Sequence, residues 1–171
     1  KKINLDEIVP CERDDFFRYS KLHGYVHDEG AAMLGGISGH AGLFSNSYEV
    51  AIVLQAMIQK GTYNNKRLFS SDSFDTFNYC YYCDKENRSG VGFDKPQIEG
   101  NHGSTFGGVS RNSFGHFGYT GSMAWADPDE EIIFVFLSNR TYPTRENTLL
   151  QTSNIRTRSQ EIVYKSLIDS K

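Results

Sequence analysis

The chain has 171 residues, of which 38% are hydrophobic, and its 18 basic and 21 acidic residues give a net charge of −3. This size and composition predict one globular domain over residues 1–171, and the weakly acidic balance argues against nucleic acid as a partner. No apolar run approaches the roughly 18 residues of a membrane span, so no span is expected.

The first 46 residues are dense in glycine and turn-forming residues and follow neither a helical nor a strand period. We expect a loop-dominated segment here. His23, His27 and Asp28 could be drawn as metal ligands, but Gly24 and the β-branched and aromatic neighbours disfavour a helix that presents histidines at i and i+4. The sequence therefore predicts no metal site and no cofactor.

Two helices are predicted next. The segment "SNSYEVAIVLQAMIQKG" has a cap at Ser45 or Ser47, a stop at Gly61, and aliphatic side chains at helical spacing, namely Val50, Val53, Leu54, Met57 and Ile58. The segment "SSDSFDTFNYCYY" begins with a capping pattern and predicts a shorter helix.

Cysteine usage is sparse. Cys80 and Cys83 form "CYYC" and Cys11 stands alone. A zinc ribbon would need a second pair, and a redox motif would need its first thiolate at a helix N-terminus after a strand. We therefore expect the thiols to be free.

The remaining chain predicts a sheet and a final helix. Residues 84–113 read as a long connection with a possible strand at "GVGFD". A strand around 113–119, a second at "SMAWAD" and a third at "IIFVFLSNR" are joined by short turns, which predicts an antiparallel meander whose last strand is covered on both faces. The segment "NIRTRSQEIVYKSLIDS" predicts a helix that packs on this sheet through Ile155, Ile162, Val163 and Leu167. The predicted class is α+β, an antiparallel sheet packed by helices.

The two glycine-framed blocks and the closing helix carry a family resemblance. The block "GYVHDEGAAMLGGISGHAGLFSNSYEVAIVLQAMIQKG" and the block "FGHFGYTGSMAWADPDEEIIFVFLSNR" resemble the C-terminal half of the serine hydrolases of the beta-lactamase and penicillin-binding-protein superfamily. The nearest likeness is to esterase-like domains that are fused, in Bacteroides-type bacteria, to beta-N-acetylglucosaminidases. The resemblance implies the C-terminal portion of a beta-lactamase/transpeptidase-like fold, without its N-terminal strands and nucleophile helix.

In that superfamily a serine of S-x-x-K is the nucleophile, a Tyr of Y-x-N assists, and a K-T-G or H-x-G motif lies on the inner edge strand. The segment "HFG" matches the third motif, so the resemblance places His116 at the Lys position, Gly118 at the Gly position and the Tyr119 N–H as an oxyanion donor. Without the resemblance, His116 would read as an ordinary strand histidine. Phe117 takes a substrate-binding position that usually holds Thr, and it cannot hydrogen-bond a substrate carboxylate, which favours an esterase-like or non-catalytic site.

The nucleophile is absent from these residues. No serine in the chain begins S-x-x-K, and "YNN" at 63–65 and "SRN" at 110–112 follow the "GHAGLFS" block and are interpreted as turns. We therefore expect the chain alone to be catalytically silent.

The resemblance places "VHDE" and "GHAG" near the mouth of the active-site groove. There, His27, Asp28 and His40 are expected to order the loops through hydrogen bonds, and direct contact with substrate is the less favoured alternative. Two functions stay open. The parent protein is a serine hydrolase that acts on a small-molecule or peptidoglycan-like ester or amide, with the N-terminal remainder of that parent as partner, or the domain is a non-catalytic scaffold beside a glycosidase. For both alternatives, the family resemblance implies a location outside the cytoplasm.

One edge of the third strand should also lack a hydrogen-bonded neighbour, because the superfamily places N-terminal strands beside it. An open edge recruits a partner. We expect residues 132–139 to be covered by a second copy, giving a homodimer by strand pairing, or by the chain's own "KKINLDEIV" segment.

Overall fold

The computed structural model describes residues 3–85, 87–97 and 103–168. The first part contains a 3-10 helix at Leu5–Glu7, strands β1 (Glu12–Asp14) and β2 (Ser20–Leu22), and helix α1 (Glu29–Met33). The middle contains α2 (Ser47–Ile58), β3 (Thr62–Tyr63), β4 (Lys66–Arg67), α3 (Ser71–Asn78) and a 3-10 turn at Cys83–Lys85. The last part contains β5 (Phe114–Phe117), β6 (Met123–Asp127), β7 (Ile132–Phe136), α4 (Leu149–Thr152) and α5 (Ile155–Ile168).

The predicted meander is confirmed. Strands β5, β6 and β7 form an antiparallel sheet in that order, with Trp125 of β6 opposite Gly115 and Phe134. The sheet has cores on both faces. Leu54, Phe114 and Ala126 form one cluster, and Met123, Trp125 and Phe134 form the other, so β7 is covered on both faces as expected. The fold class is α+β.

Helices α2 and α3 occupy the predicted segments. The cap of α2 is Asn46, whose side chain accepts from the Glu49 N–H, rather than Ser45 or Ser47. Of the predicted apolar face, Val53 is exposed, while the other four residues pack in the Leu54 cluster. Ser70 caps α3 as the sequence pattern indicated.

The predicted face of α5 is wrong. Ile162 is 66% exposed and Leu167 is 48% exposed, while Arg156, Gln160 and Tyr164 are buried. Polar groups can face the sheet here because two of them find partners: Arg156 donates to backbone carbonyls and the Tyr164 hydroxyl donates to buried Asp127. Of the predicted set, Val163 packs against the Trp125 cluster.

Two further expectations are corrected in the connection before β5. Cys80 and Cys83 are joined by a disulfide, with 5.6 Å between their Cα atoms, and only Cys11 is free. The "GVGFD" segment is not a regular strand, because the Gly90 N–H bonds the Phe93 carbonyl in a turn and only isolated bridges form at Ser89 and Asp94.

The N-terminal segment is more structured than a plain loop. Strands β1 and β2 form a hairpin that docks on the segment after β7, where the Arg13 N–H donates to the Pro143 carbonyl (2.9 Å) and Thr141 Oγ1 donates to the Cys11 carbonyl (2.7 Å). Within the described ranges, β7 pairs with β6 alone, so the "KKINLDEIV" segment does not cover its edge from residue 3 onward.

The two asparagines of "YNN" and the whole of "SRN" lie in turns, as interpreted, while Tyr63 ends β3. Asn64 and Asn65 have φ of 47° and 60° between β3 and β4, and Ser110 donates to Asp127 ahead of β5. Among the described residues, none of the helices has both the length and the apolar character needed to cross a bilayer.

Candidate active site

The outer edge of β5 carries the predicted HFGY segment, residues 116–119. Gly115 exchanges two backbone hydrogen bonds with Asp94 at this edge, at 2.8 and 3.1 Å. Because hydrogen-bonding directions alternate along a strand, the backbone groups of Phe117 point to the same edge. His116 is exposed on the strand. The edge is therefore closed by Asp94 at Gly115 and, among the residues that the structure describes, open from Phe117 onward.

A tight turn follows the strand. The Gly118 N–H donates to the Ser122 carbonyl (2.8 Å) and the Gly121 N–H donates back to the Gly118 carbonyl (3.1 Å). Gly121 has φ of +114°, and a Cβ there would lie 2.4 Å from Ser138 Oγ, so glycine is required. The turn fixes the direction in which the next amide projects.

The Tyr119 N–H donates to no group in the described part of the chain. Its residue is 60% exposed, whereas its carbonyl accepts from Arg140 Nε at 2.8 Å. An unpaired backbone donor at an exposed edge is available to an oxygen of a bound molecule.

Two arginines that the sequence analysis did not single out, Arg140 and Arg156, contact this turn. Arg156 donates from one guanidinium nitrogen to the carbonyls of Gly118 and Ser122, both at 3.2 Å. Arg140 lies over the Tyr119 ring, with 4.4 Å from Cζ to the ring centroid. Burial, followed by the nearby charge of Arg140, lowers the pKa of Arg156. The backbone around the HFGY segment therefore lies in a positive field.

Phe117 is half-buried and its side chain packs inward. Its ring lies 3.9 Å from Arg156 Cζ and contacts the Trp125 cluster. The ring therefore packs between Arg156 and the sheet core.

The loop that contains "VHDE" contacts the HFGY segment through His27. The His27 ring stacks on the Tyr119 ring, with 5.5 Å between centroids and 30° between planes. His27 Nε2 lies 3.0 Å from Glu12 Oε2, and since a carboxylate only accepts, the imidazole donates. Burial lowers the pKa of His27 although Glu12 opposes the shift, which favours the neutral ring.

Glu12 is the centre of a buried charge cluster, the Glu12 cluster, formed with His27, Arg145 and Glu29. Arg145 donates to Glu12 from Nε (2.8 Å), Nη2 (2.6 Å) and its own backbone N–H (3.0 Å), and to Glu29 from Nη2 at 2.9 Å. Although burial alone would raise the pKa of Glu12, the Arg145 hydrogen bonds and charge lower it. The cluster joins the β1 strand, the α1 start and the segment after β7 beneath the His27 ring.

Asp28 and His40 form a second, exposed pair. Asp28 Oδ1 accepts from the Ala31 N–H at the start of α1 (2.7 Å) and from His40 Nε2 (3.0 Å), and His40 Nδ1 lies 2.8 Å from Ser38 Oγ. The hydrogen bond from Ala31, followed by that from His40, lowers the pKa of Asp28. These contacts order the loop that precedes α2.

His23, His27 and Asp28 do not converge. His23 bonds the Ile8 carbonyl at 2.6 Å, while His27 and Asp28 bond the separate partners given above. Across the described ranges, no group of three or more potential metal-ligating side chains comes together.

The structure thus brings Tyr119 and His27 into contact beside the open edge of β5, and places Asp28 and His40 along the adjoining loop. Sequence reasoning missed Glu12, Arg140, Arg145 and Arg156, which connect these parts. Of these four, only Arg140 had a sequence signal, the "SNR" that ends the third apolar segment, since an arginine is seldom buried without a partner.

Comparisons with known proteins agree with the architecture. A model of the beta-lactamase family matches residues 7–155. The chain is 38% identical over 130 residues to a protein of Escherichia coli strain K12 named "Putative D-alanyl-D-alanine carboxypeptidase", covering 73% of this chain and 29% of that protein. The protein of the same name from Salmonella enteritidis PT4 is 36% identical over 129 residues, with the same coverage. The chain therefore spans about 29% of the length of these curated relatives.

Proposed function

This chain belongs to the beta-lactamase family, and on that premise we propose that it is the C-terminal part of a serine hydrolase that cleaves an ester or amide bond in a cell-wall-related substrate. The observation that carries this proposal is the unpaired Tyr119 N–H at the open edge of β5, one residue beyond the "HFG" motif. A donor fixed at that point can bind the oxygen on which negative charge develops during acyl transfer.

The two arginines strengthen that donor in this proposal. Arg156 bonds the Gly118 carbonyl, which belongs to the same peptide group as the Tyr119 N–H. A cation at the carbonyl end polarises the peptide and makes its N–H a better donor, because hydrogen bonds in a chain reinforce one another. Arg156 would then be a positioning residue that acts through the backbone.

His116 would assist from the strand. It is exposed, so a bound substrate could approach its ring, and an imidazole can support proton transfer or developing charge near neutral pH. The Ser and Lys of S-x-x-K are not among the 171 residues, so in this proposal they come from another part of the same protein.

The named relatives suggest a D-alanyl-D-alanine substrate. Phe117 argues for a different preference, because its ring packs against Arg156 and offers no hydrogen bond to a carboxylate. We therefore propose an esterase-like activity on a neutral or peptidoglycan-like ester, outside the cytoplasm.

A second function is compatible with the same Phe117 observation, because a ring that offers no hydrogen bond to a substrate is also expected of a non-catalytic site. In it, the domain binds or scaffolds without turnover, attached to a glycosidase such as a beta-N-acetylglucosaminidase. The two alternatives differ in whether the full-length gene product carries S-x-x-K followed by Y-x-N.

The test uses that full-length product, assayed for p-nitrophenyl acetate hydrolysis and for labelling by a fluorescent penicillin. His116→Ala should lower kcat/KM by roughly ten- to a thousandfold, and Phe117→Thr should favour carboxylate-bearing esters over neutral ones. Lys66→Ala, on the exposed β4 strand, is the matched control and should change neither. Turnover that survives His116→Ala would make His116 an ordinary strand residue, and a gene product without S-x-x-K would favour the scaffold.

A further inference from the structure

A second concave site lies at the other end of β5 from the HFGY segment. The groove encloses about 610 Å³, within the roughly 300–1,000 Å³ typical of small-molecule sites. It lies between α3 and the Pro128–Asp129 turn, with Phe114 at its base. Phe114 and Phe117 are three residues apart on an extended strand, so the groove is separated from the candidate active site by about 10 Å.

The lining of the groove is both apolar and charged. Its apolar surface is provided by Ile58, Phe74, Phe114 and Pro128. Its cations are Lys60, Lys95 and Arg111, and its anions are Asp75 and Asp129. The formal balance is therefore one positive charge.

The two anions already have partners. Lys60 Nζ lies 3.1 Å from the Asp75 carboxylate, and Asn112 Nδ2 donates to both oxygens of Asp129 at 3.0 Å. Lys95 and Arg111, in contrast, have no carboxylate partner within the part of the chain that the structure describes. Lys60 offsets the charge of Asp75, whereas Asn112 is neutral, so Lys95 and Arg111 together exceed Asp129 by one positive charge.

Lys95 is placed to bind an anion. Its Nζ donates to two neutral oxygens, Asn78 Oδ1 (3.2 Å) and the Asn112 carbonyl (3.4 Å), and lies 5.6 Å from the centroid of the Phe114 ring. Two of its three N–H donors are used, so one remains. Burial lowers the pKa of Lys95 to about 8, which is the response of an ammonium that lacks a compensating charge.

We propose that this groove is a binding site for a small organic monocarboxylate with an apolar body, whose carboxylate bonds Lys95 and Arg111 and whose body lies against Phe74 and Pro128. The net charge favours a monoanion, because Asp129, whose partner Asn112 is neutral, would repel a second negative charge. The apolar side chains of the lining favour an organic anion over a purely inorganic one.

The site can be tested on the chain by titration with phenylacetate, followed by amide chemical shifts in ¹⁵N-labelled protein. Saturable shifts should centre on Asn78, Lys95 and Asn112, with a dissociation constant of about 1 mM. The neutral isostere phenylacetamide should bind at least about tenfold more weakly, and inorganic phosphate more weakly than phenylacetate.

Variants separate this site from unspecific binding. Lys95→Gln and Arg111→Gln should each weaken phenylacetate binding about five- to tenfold, while Lys66→Gln, an exposed lysine outside the groove, should not. Arg111 is exposed, so its variant folds even if the Lys95 variant does not. Equal binding of phenylacetamide, tighter binding of phosphate, shifts that map elsewhere, or an Arg111 variant with unchanged affinity would each overturn the proposal.

Discussion

Replacing Glu12 by Gln tests whether the Glu12 cluster holds the candidate site together. Glu12 is 2% exposed and accepts from His27 and from three N–H groups of Arg145. Removing one charge of a buried pair costs roughly 3–5 kcal/mol, because the partner is left uncompensated. Glu29 still neutralises part of the Arg145 charge in the variant, so we expect a loss near the lower end, about 3 kcal/mol in the free energy of unfolding.

Urea unfolding of the chain, monitored by circular dichroism at pH 7, measures this loss, and thermal unfolding should show a Tm lower by about 6–12 °C. Glu161→Gln is the matched control, since Glu161 pairs with Lys165 on the exposed face of α5, and it should change stability by less than about 0.5 kcal/mol. The double variant with Arg145→Met should be non-additive by at least about 1 kcal/mol.

The pH dependence gives a second readout. The folded protein lowers the pKa of Glu12, so the stabilisation is complete above the unfolded-state pKa of about 4.3 and is lost as the pH falls below it. The difference between the wild-type chain and Glu12→Gln should therefore shrink in acid. A loss under about 1 kcal/mol at pH 7, or one equal to that of the Glu161 control, would refute the role given to the cluster.

Three other outcomes are expected. The chain alone should hydrolyse neither nitrocefin nor p-nitrophenyl acetate above buffer, because it contains no S-x-x-K serine; stoichiometric labelling of any serine by a fluorescent penicillin would overturn this. Trinitrobenzenesulfonate should modify Lys95 before Lys66, with the Lys95 rate half-maximal near pH 8, since burial lowers the pKa of Lys95 to about 8 and only the neutral amine reacts; equal rates in a mass-spectrometric time course would contradict it. The open edge of β7 should pair with a second copy, so gel filtration with light scattering should show a dimer; a monomer whose amides from 132 to 137 all exchange rapidly would show that this edge recruits no partner.

The sequence predicted the elements whose signal is local. The apolar period of α2 and the short turns between β5, β6 and β7 depend on neighbours a few residues away, and both are confirmed. The buried face of α5 could not be obtained this way, because Arg156 and Tyr164 are tolerated there only through partners more than 30 residues distant. Likewise, the spacing of "CYYC" does not determine whether the two thiols meet.

The same distinction between local signals and distant partners applies to the candidate site. His116, Phe117, Gly118 and Tyr119 are contiguous, so a motif could indicate them. The Glu12–Arg145 contact joins residues 133 positions apart, and no local pattern marks either partner. A single sequence therefore indicates the strand of the candidate site but not the charges that stabilise it.

That 133-residue separation also has a consequence during protein synthesis. At about 5–20 residues per second, roughly 7 to 27 s pass between translation of Glu12 and that of Arg145. During this interval the Glu12 side chain lacks its Arg145 partner, and the β1–β2 hairpin lacks the surface on which it docks. The residues around Glu12 must therefore wait for those around Arg145, so a nascent chain that stalls between the two would present an undocked β1–β2 hairpin to chaperones and proteases.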